Sequence, residues 1–210
     1  MNRTTTTAMH LSVLALAAAG VAAAPADSTL PPIMTRVNDA FDSIDTNRDG
    51  TMTFDEYRAF VFAAFADIDT DGNFVLTLRE IGSNAGDRAV FEKIDRAKKG
   101  EVTLAEYMRM QRLLFDFADL DLDGTVSRAE YAAIMIASGY GWVDANGDHR
   151  LSRAEYVDVL ANLFATLDVD RSGSLSPAEH AAFDATRPNG DVSAAAFLEA
   201  GLRTLPAGLK

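Results

Sequence analysis

With 210 residues, of which 48% are hydrophobic, the chain is long enough to pack one domain or two small ones, which excludes disorder throughout. A formal net charge of −12 argues against nucleic acid as a partner. Cysteine is absent, which excludes disulfide bridges, thiol catalysis and lipid attachment through an N-terminal cysteine.

From the N-terminus, residues 1–26 combine a basic start at Arg3, an apolar stretch from Leu11 to Val21 and a small-residue run ending Ala24-Pro25-Ala26. That is the pattern of a secretory signal peptide, with cleavage expected after Ala26 or Ala23. A bilayer span needs roughly 20 apolar residues, and this stretch has little more than half of that, so no membrane span is expected after signal removal. The mature protein is expected to be secreted or periplasmic. Loss of Arg3 takes the net charge from −12 to −13. Only His149 and His180 lie beyond the signal, and no acid-base pair forms a recognisable motif, so no enzyme activity and no catalytic residues are expected.

Residues 27–32 read as an exposed lead-in ending at Pro31-Pro32, with a first helix starting near Ile33. Residues 33–203 then form a repeat array, and 204–210 a short C-terminal tail. The repeated unit is Asp-x-(Asp/Asn)-x-(Asp/Asn/Ser)-x-x-apolar-(Ser/Thr)-x-x-Glu, starting at Asp45, Asp69, Asp95, Asp119, Asp144 and Asp168, at intervals of 24 to 26 residues. Phe41, Phe65, Phe91, Phe115, Tyr140 and Phe164 each stand four residues before a start and mark the apolar face of an entering helix. Only 12 residues separate Glu56 from Asp69, room for a single shared helix. Tyr57 to Ile68, Tyr107 to Ala118 and Tyr156 to Leu167 lack Gly and Pro, so each predicts one such helix. About 15 residues give roughly 22 Å of rise, which keeps the loops at its two ends apart. Breaks at residues 82–86, 138–141 and 187–190 predict turns that fold neighbouring repeats together. The expected pairs are therefore second with third, fourth with fifth, and sixth with a remnant seventh around Val192, Ser193 and Phe197. The first copy is expected to be left unpaired or to contact an adjacent hand.

The polar positions suit a hard cation. Calcium takes about six to eight oxygen ligands at flexible distances, and an acidic loop wraps it using alternate side chains. In the first copy these are Asp45, Asn47 and Asp49, the backbone carbonyl of Thr51, a water held by Thr53, and both oxygens of Glu56. The matching sets are Asp69, Asp71, Asn73, Val75 and Glu80; Asp119, Asp121, Asp123, Thr125 and Glu130; Asp144, Asn146, Asp148, Arg150 and Glu155; and Asp168, Asp170, Ser172, Ser174 and Glu179. Val75, Thr125, Arg150 and Ser174 enter through their carbonyls. Sixteen of the 31 acidic residues fall at these positions. In the third copy Ala97 and Lys99 replace two ligands, so that loop is expected to keep its shape without holding metal. The Ser/Thr-x-x-Glu element is also a helix-capping box, so a retained Glu106 does not by itself mean a metal site.

These loops resemble the EF-hand family, the helix-loop-helix calcium proteins that include calmodulin, over nearly all of the mature chain. The resemblance implies an all-α array of EF-hand units with shared helices and short β-bridges through Met52, Leu76, Val102, Val126, Leu151 and Leu175. It implies calcium as the bound ion. It also implies a left-handed backbone at the sixth loop position, where Phe74 and His149 replace glycine. Such a residue costs roughly 1–2 kcal/mol, so the Asp69 and Asp144 loops are expected to be weakened. The functions left open are a calcium buffer or calcium-stabilised binding module, a calcium-triggered sensor for a target protein, and a calcium-dependent docking or structural protein of the cell envelope.

Overall fold

A computed structural model describes residues 31–206 apart from 82–87, 89, 90, 93, 96 and 187. The expected signal peptide, residues 27–30 of the lead-in, the break at 82–86, Arg187 and tail residues 207–210 lie outside the described residues. In chain order the elements are α1 (Ile33–Ile44), β1 (Thr51–Thr53), α2 (Phe54–Ile68), β2 (Val75–Thr77) and α3 (Leu78–Ile81). Next come β3 (Glu101–Thr103), α4 (Leu104–Ala118), β4 (Thr125–Ser127), α5 (Arg128–Gly139) and α6 (Arg153–Leu167). The chain closes with β5 (Ser174–Leu175), α7 (Pro177–Phe183), β6 (Val192–Ser193) and α8 (Ala194–Arg203). The fold is mostly helical, and its strands are short antiparallel bridges between loops. No helix among the described residues is long and apolar enough to cross a membrane.

The helices start where the sequence supplies capping boxes. Thr53 with Glu56, Thr103 with Glu106, Ser127 with Glu130, Ser152 with Glu155 and Ser176 with Glu179 each exchange side-chain and backbone hydrogen bonds across a first turn. Two otherwise unpaired N–H groups are satisfied at each. The three Gly/Pro-free segments do form single helices, α2, α4 and α6, each of 15 residues.

The strand pairing departs from the sequence expectation. Second and third loops pair as expected, with Leu76 opposite Val102, and the sixth pairs with the remnant seventh, with Leu175 opposite Val192. The first loop is not left alone: it pairs with the fourth, Met52 opposite Val126. The fifth loop has no strand partner among the described residues. The cause is the equal length of α2 and α4. Helix α2 runs from the first loop to the second, the β2–β3 bridge turns the chain, and α4 runs back from the third loop to the fourth. Both helices have 15 residues, so the first and fourth loops arrive at the same level.

Aromatic contacts hold that hairpin closed. Phe54 and Phe115 meet edge to face at 5.3 Å, Phe65 lies 5.3 Å from Tyr107, and the Tyr57 hydroxyl donates to the fully buried Gln111 Oε1 at 2.7 Å. On the neighbouring side α1 packs on α5, with Phe41 against Tyr131 at 5.6 Å and the Arg128 guanidinium over the Phe41 ring while paired to Asp42. The remnant seventh hand covers the far end: Phe197 is buried against Phe164 and Phe183. The aromatic residues four positions before the loops and the eighth-position apolar residues are all buried, so the repeat's periodicity is the core itself.

Candidate metal centres

Each loop is a closed ring of backbone N–H donors around carboxylates. The first-position Asp accepts from the backbone of the sixth: Gly50 N to Asp45 Oδ2 at 3.0 Å, Phe74 N to Asp69 at 2.8 Å, Gly124 N to Asp119 at 2.9 Å, His149 N to Asp144 at 3.0 Å and Gly173 N to Asp168 at 3.0 Å. The fifth-position side chain accepts from the seventh N–H: Thr51 to Asp49, Val75 to Asn73, Thr125 to Asp123, Arg150 to Asp148 and Ser174 to Ser172. In the sixth loop the Ser172 hydroxyl also donates to the Ser174 carbonyl at 2.8 Å, bringing two of the expected ligands together. The twelfth-position Glu then reaches back over the loop. One oxygen of Glu56, Glu80, Glu130, Glu155 and Glu179 accepts from the second-position N–H of Thr46, Thr70, Leu120, Ala145 and Val169.

These bonds act on charge. The ninth-position backbone N–H, from Thr53, Ser152 and Ser176, is the largest influence holding Glu56, Glu155 and Glu179 below the ordinary carboxylate range. Asp49 is lowered by the Thr51 hydroxyl and then by its N–H. At these four carboxylates the bonds favour the ionised form, the form a hard cation requires.

The geometry fits calcium. Carboxylate oxygens of Asp69, Asp71 and Glu80 lie within 4.8 Å of one another, as do those of Asp119, Asp121 and Asp123, and of Asp168, Asp170 and Glu179. Carboxylates gathered this closely could share a divalent cation between them. In the first loop the buried Asp45 Oδ1 has no hydrogen-bond partner, while its other oxygen is bound to Gly50. A buried carboxylate oxygen left without a partner is the group that an inserted cation would satisfy. Among the described residues no other carboxylate trio gathers as closely; Asn47 and Asn146 take the third position in the first and fifth loops. Glu130 stands apart from the fourth-loop trio, 1% exposed and bonded to Leu120, Asp121 and Ser127.

The third loop keeps the scaffold: Asp95 accepts from Lys99 and Gly100, and Glu106 caps α4. The side chains of Ala97 and Lys99 are exposed and offer no oxygen.

Phe74 and His149 do adopt the left-handed backbone, at φ 62° and 58°. The sequence reading missed a second such position. Arg48, Lys98, Leu122 and Arg171, at the fourth place in the other loops, are also left-handed, and in the second and fifth loops that place is held by Gly72 and Gly147. Every loop therefore has one glycine and one side-chain-bearing residue at its two left-handed positions. The strain assigned to the Asp69 and Asp144 loops is offset at position four and does not set them apart. Two further groups escaped the sequence reading. Trp142, just before the fifth loop, donates to Glu155 Oε2 at 3.3 Å, and the Arg150 side chain reaches the fourth loop. An aromatic directly preceding an acidic loop was the only available signal for the first.

No curated protein matches the chain. The EF hand family matches residues 37–61 and 110–135. These two segments are the hands that β1 and β4 join, and the same loop construction recurs in the copies between and beyond them. These two matches support placing the chain in the EF-hand calcium-binding superfamily.

Proposed function

We propose that this is an exported protein that binds about five calcium ions through the loops starting at Asp45, Asp69, Asp119, Asp144 and Asp168. It acts as a calcium buffer or as a binding module stabilised by calcium, without catalytic activity. The observation that carries the reading is the convergence of first-, third- and twelfth-position carboxylates in the second and sixth loops, from residues 11 apart in sequence. Bound calcium would supply a compact double positive charge for these carboxylates to ligate. The chain's own part is to hold each Asp by the sixth-position N–H and each Glu by the ninth, so that the oxygens already point inward.

Titration calorimetry of the mature protein with calcium and with magnesium tests this. Saturable calcium binding in preference to magnesium is expected, since magnesium demands a rigid octahedral set and sheds water reluctantly. Absence of saturable calcium binding would refute the reading.

One feature supports the second reading, a calcium-triggered sensor. A groove of about 510 Å³ opens between α1, α5, α6, α7 and α8, with Met34, Ile136, Leu160, Phe183 and Phe197 on its walls. An apolar dye that brightens only on calcium addition supports the sensor; a signal indifferent to calcium supports the buffer or module.

A further inference from the structure

We propose that the fifth loop, which has no strand partner among the described residues, is coupled to the fourth through the side chains of Arg150 and Trp142, so that calcium in either loop strengthens binding in the other. The proposal rests on calcium binding by these loops and concerns its regulation.

Arg150 has two separate attachments. Its main-chain carbonyl would serve as the seventh-position ligand of the fifth loop, while its guanidinium crosses to the fourth loop and donates to the carbonyls of Asp119 at 3.4 Å and Leu120 at 3.2 Å. The Asp119 carbonyl and the Leu120 N–H belong to one peptide unit. At its other end that N–H donates to Glu130 Oε1 at 2.8 Å. Arg150 therefore holds one side of the peptide whose other side positions the twelfth-position carboxylate of the fourth loop. Hydrogen bonds at both ends of a peptide polarise and orient it together.

Trp142 makes the second link. Its backbone N–H is tied to the Ala137 carbonyl at the end of α5, its indole N–H donates to Glu155 Oε2, and its ring lies 5.2 Å from Phe117, two residues before Asp119. Fixing Glu155 thus restrains the ring that packs on the helix entering the fourth loop. Closure of either loop orders groups that the other needs, and a site already ordered by its neighbour loses less freedom on binding. The paired hands share such order through their strands; here two side chains take that place.

Trp142 is the only tryptophan in the chain, so its fluorescence reports on the fifth loop. Calcium titrations of the mature protein compare wild type with Glu130→Gln and, as a second fourth-loop variant at an exposed position, Asp123→Asn. Each is repeated in an Arg150→Ala background, which keeps the carbonyl ligand and removes the guanidinium. Calorimetry on the same samples counts ions. Disabling the fourth loop is expected to move the Trp142 midpoint to higher calcium by about five-fold or more, and by a smaller factor once Arg150→Ala leaves only the Trp142 link. An unmoved midpoint, a shift to lower calcium, or an indole signal indifferent to calcium while ions are still counted overturns the coupling alone. A shift of undiminished size with Arg150→Ala removes Arg150 from it and overturns the two-link coupling. A wild type that takes up no calcium overturns the underlying reading as well.

Discussion

Exchanging the glycine between the two left-handed positions of the second loop tests the strain argument in both directions. Gly72→Ala would leave side chains at φ 70° and 62°, the latter being Phe74. A left-handed residue other than glycine costs roughly 1–2 kcal/mol, and alanine returns about 0.4–1 kcal/mol by restricting the unfolded chain. A net loss of about 1 kcal/mol is expected, because a Cβ at Gly72 meets no atom within 4 Å and steric clash adds nothing. Phe74→Gly should give a gain of similar size, since the ring is 58% exposed and little packing is lost. For a chain of this length, that corresponds to melting shifts of about 2–4 °C down and up in saturating calcium. The double exchange reproduces the arrangement of the Asp45, Asp119 and Asp168 loops and should melt close to wild type. If Gly72→Ala is silent, or Phe74→Gly lowers the melting temperature, the backbone at these positions carries no strain and the reasoning fails.

Three further expectations concern the core, protons and metal. Met52 and Val126 are buried and face each other, so Met52→Ala and Val126→Ala should couple by about 0.5–3 kcal/mol in a double-mutant cycle; strictly additive losses would contradict the first-to-fourth pairing. Glu106, in the loop short of ligands, has its pKa lowered from the ordinary 4.5, first by the Thr103 N–H, then by its hydroxyl. A folded pKa below the unfolded one contributes stability that is present above the unfolded value and lost as pH falls through the folded value. In chelator, Glu106→Gln should therefore be less stable than wild type at neutral pH, with the gap closing below about pH 4 in denaturant titrations; a gap that widens in acid would reverse the sign. Removing calcium should lower the melting temperature steeply, because each site adds about 2.7 kcal/mol at a calcium concentration 100 times its dissociation constant. An apo form as helical and as heat-resistant as the loaded one, by circular dichroism, would sever binding from folding.

The loops and shared helices were legible because their chemistry is local. An Asp at each start, an apolar eighth residue and a Ser/Thr-x-x-Glu cap fix ring, bridge and helix start within 12 residues, and α2, α4 and α6 follow from the lack of Gly and Pro between loops. The partner of the first loop was not legible in the same way. It depends on α2 and α4 being equal in length and turned back on each other, a relation between residues far apart in sequence, such as Met52 and Val126. Position four was missed because Arg48, Leu122 and Arg171 give no compositional hint of φ near +60°; only the surrounding loop imposes it. The Arg150 guanidinium was hidden behind its own backbone, since a residue read for its carbonyl leaves its side chain unassigned.

The most direct test is to count calcium in equilibrium with the mature chain in three forms: wild type, Glu130→Gln, and Ala97→Asp with Lys99→Asp. The ligand assignment predicts about five ions, about four once the twelfth-position carboxylate of the fourth loop is neutralised, and about six once the third loop regains its carboxylates. Equal counts in all three would contradict it, leaving the acidic repeats as scaffold and the ion, if any is bound, held elsewhere.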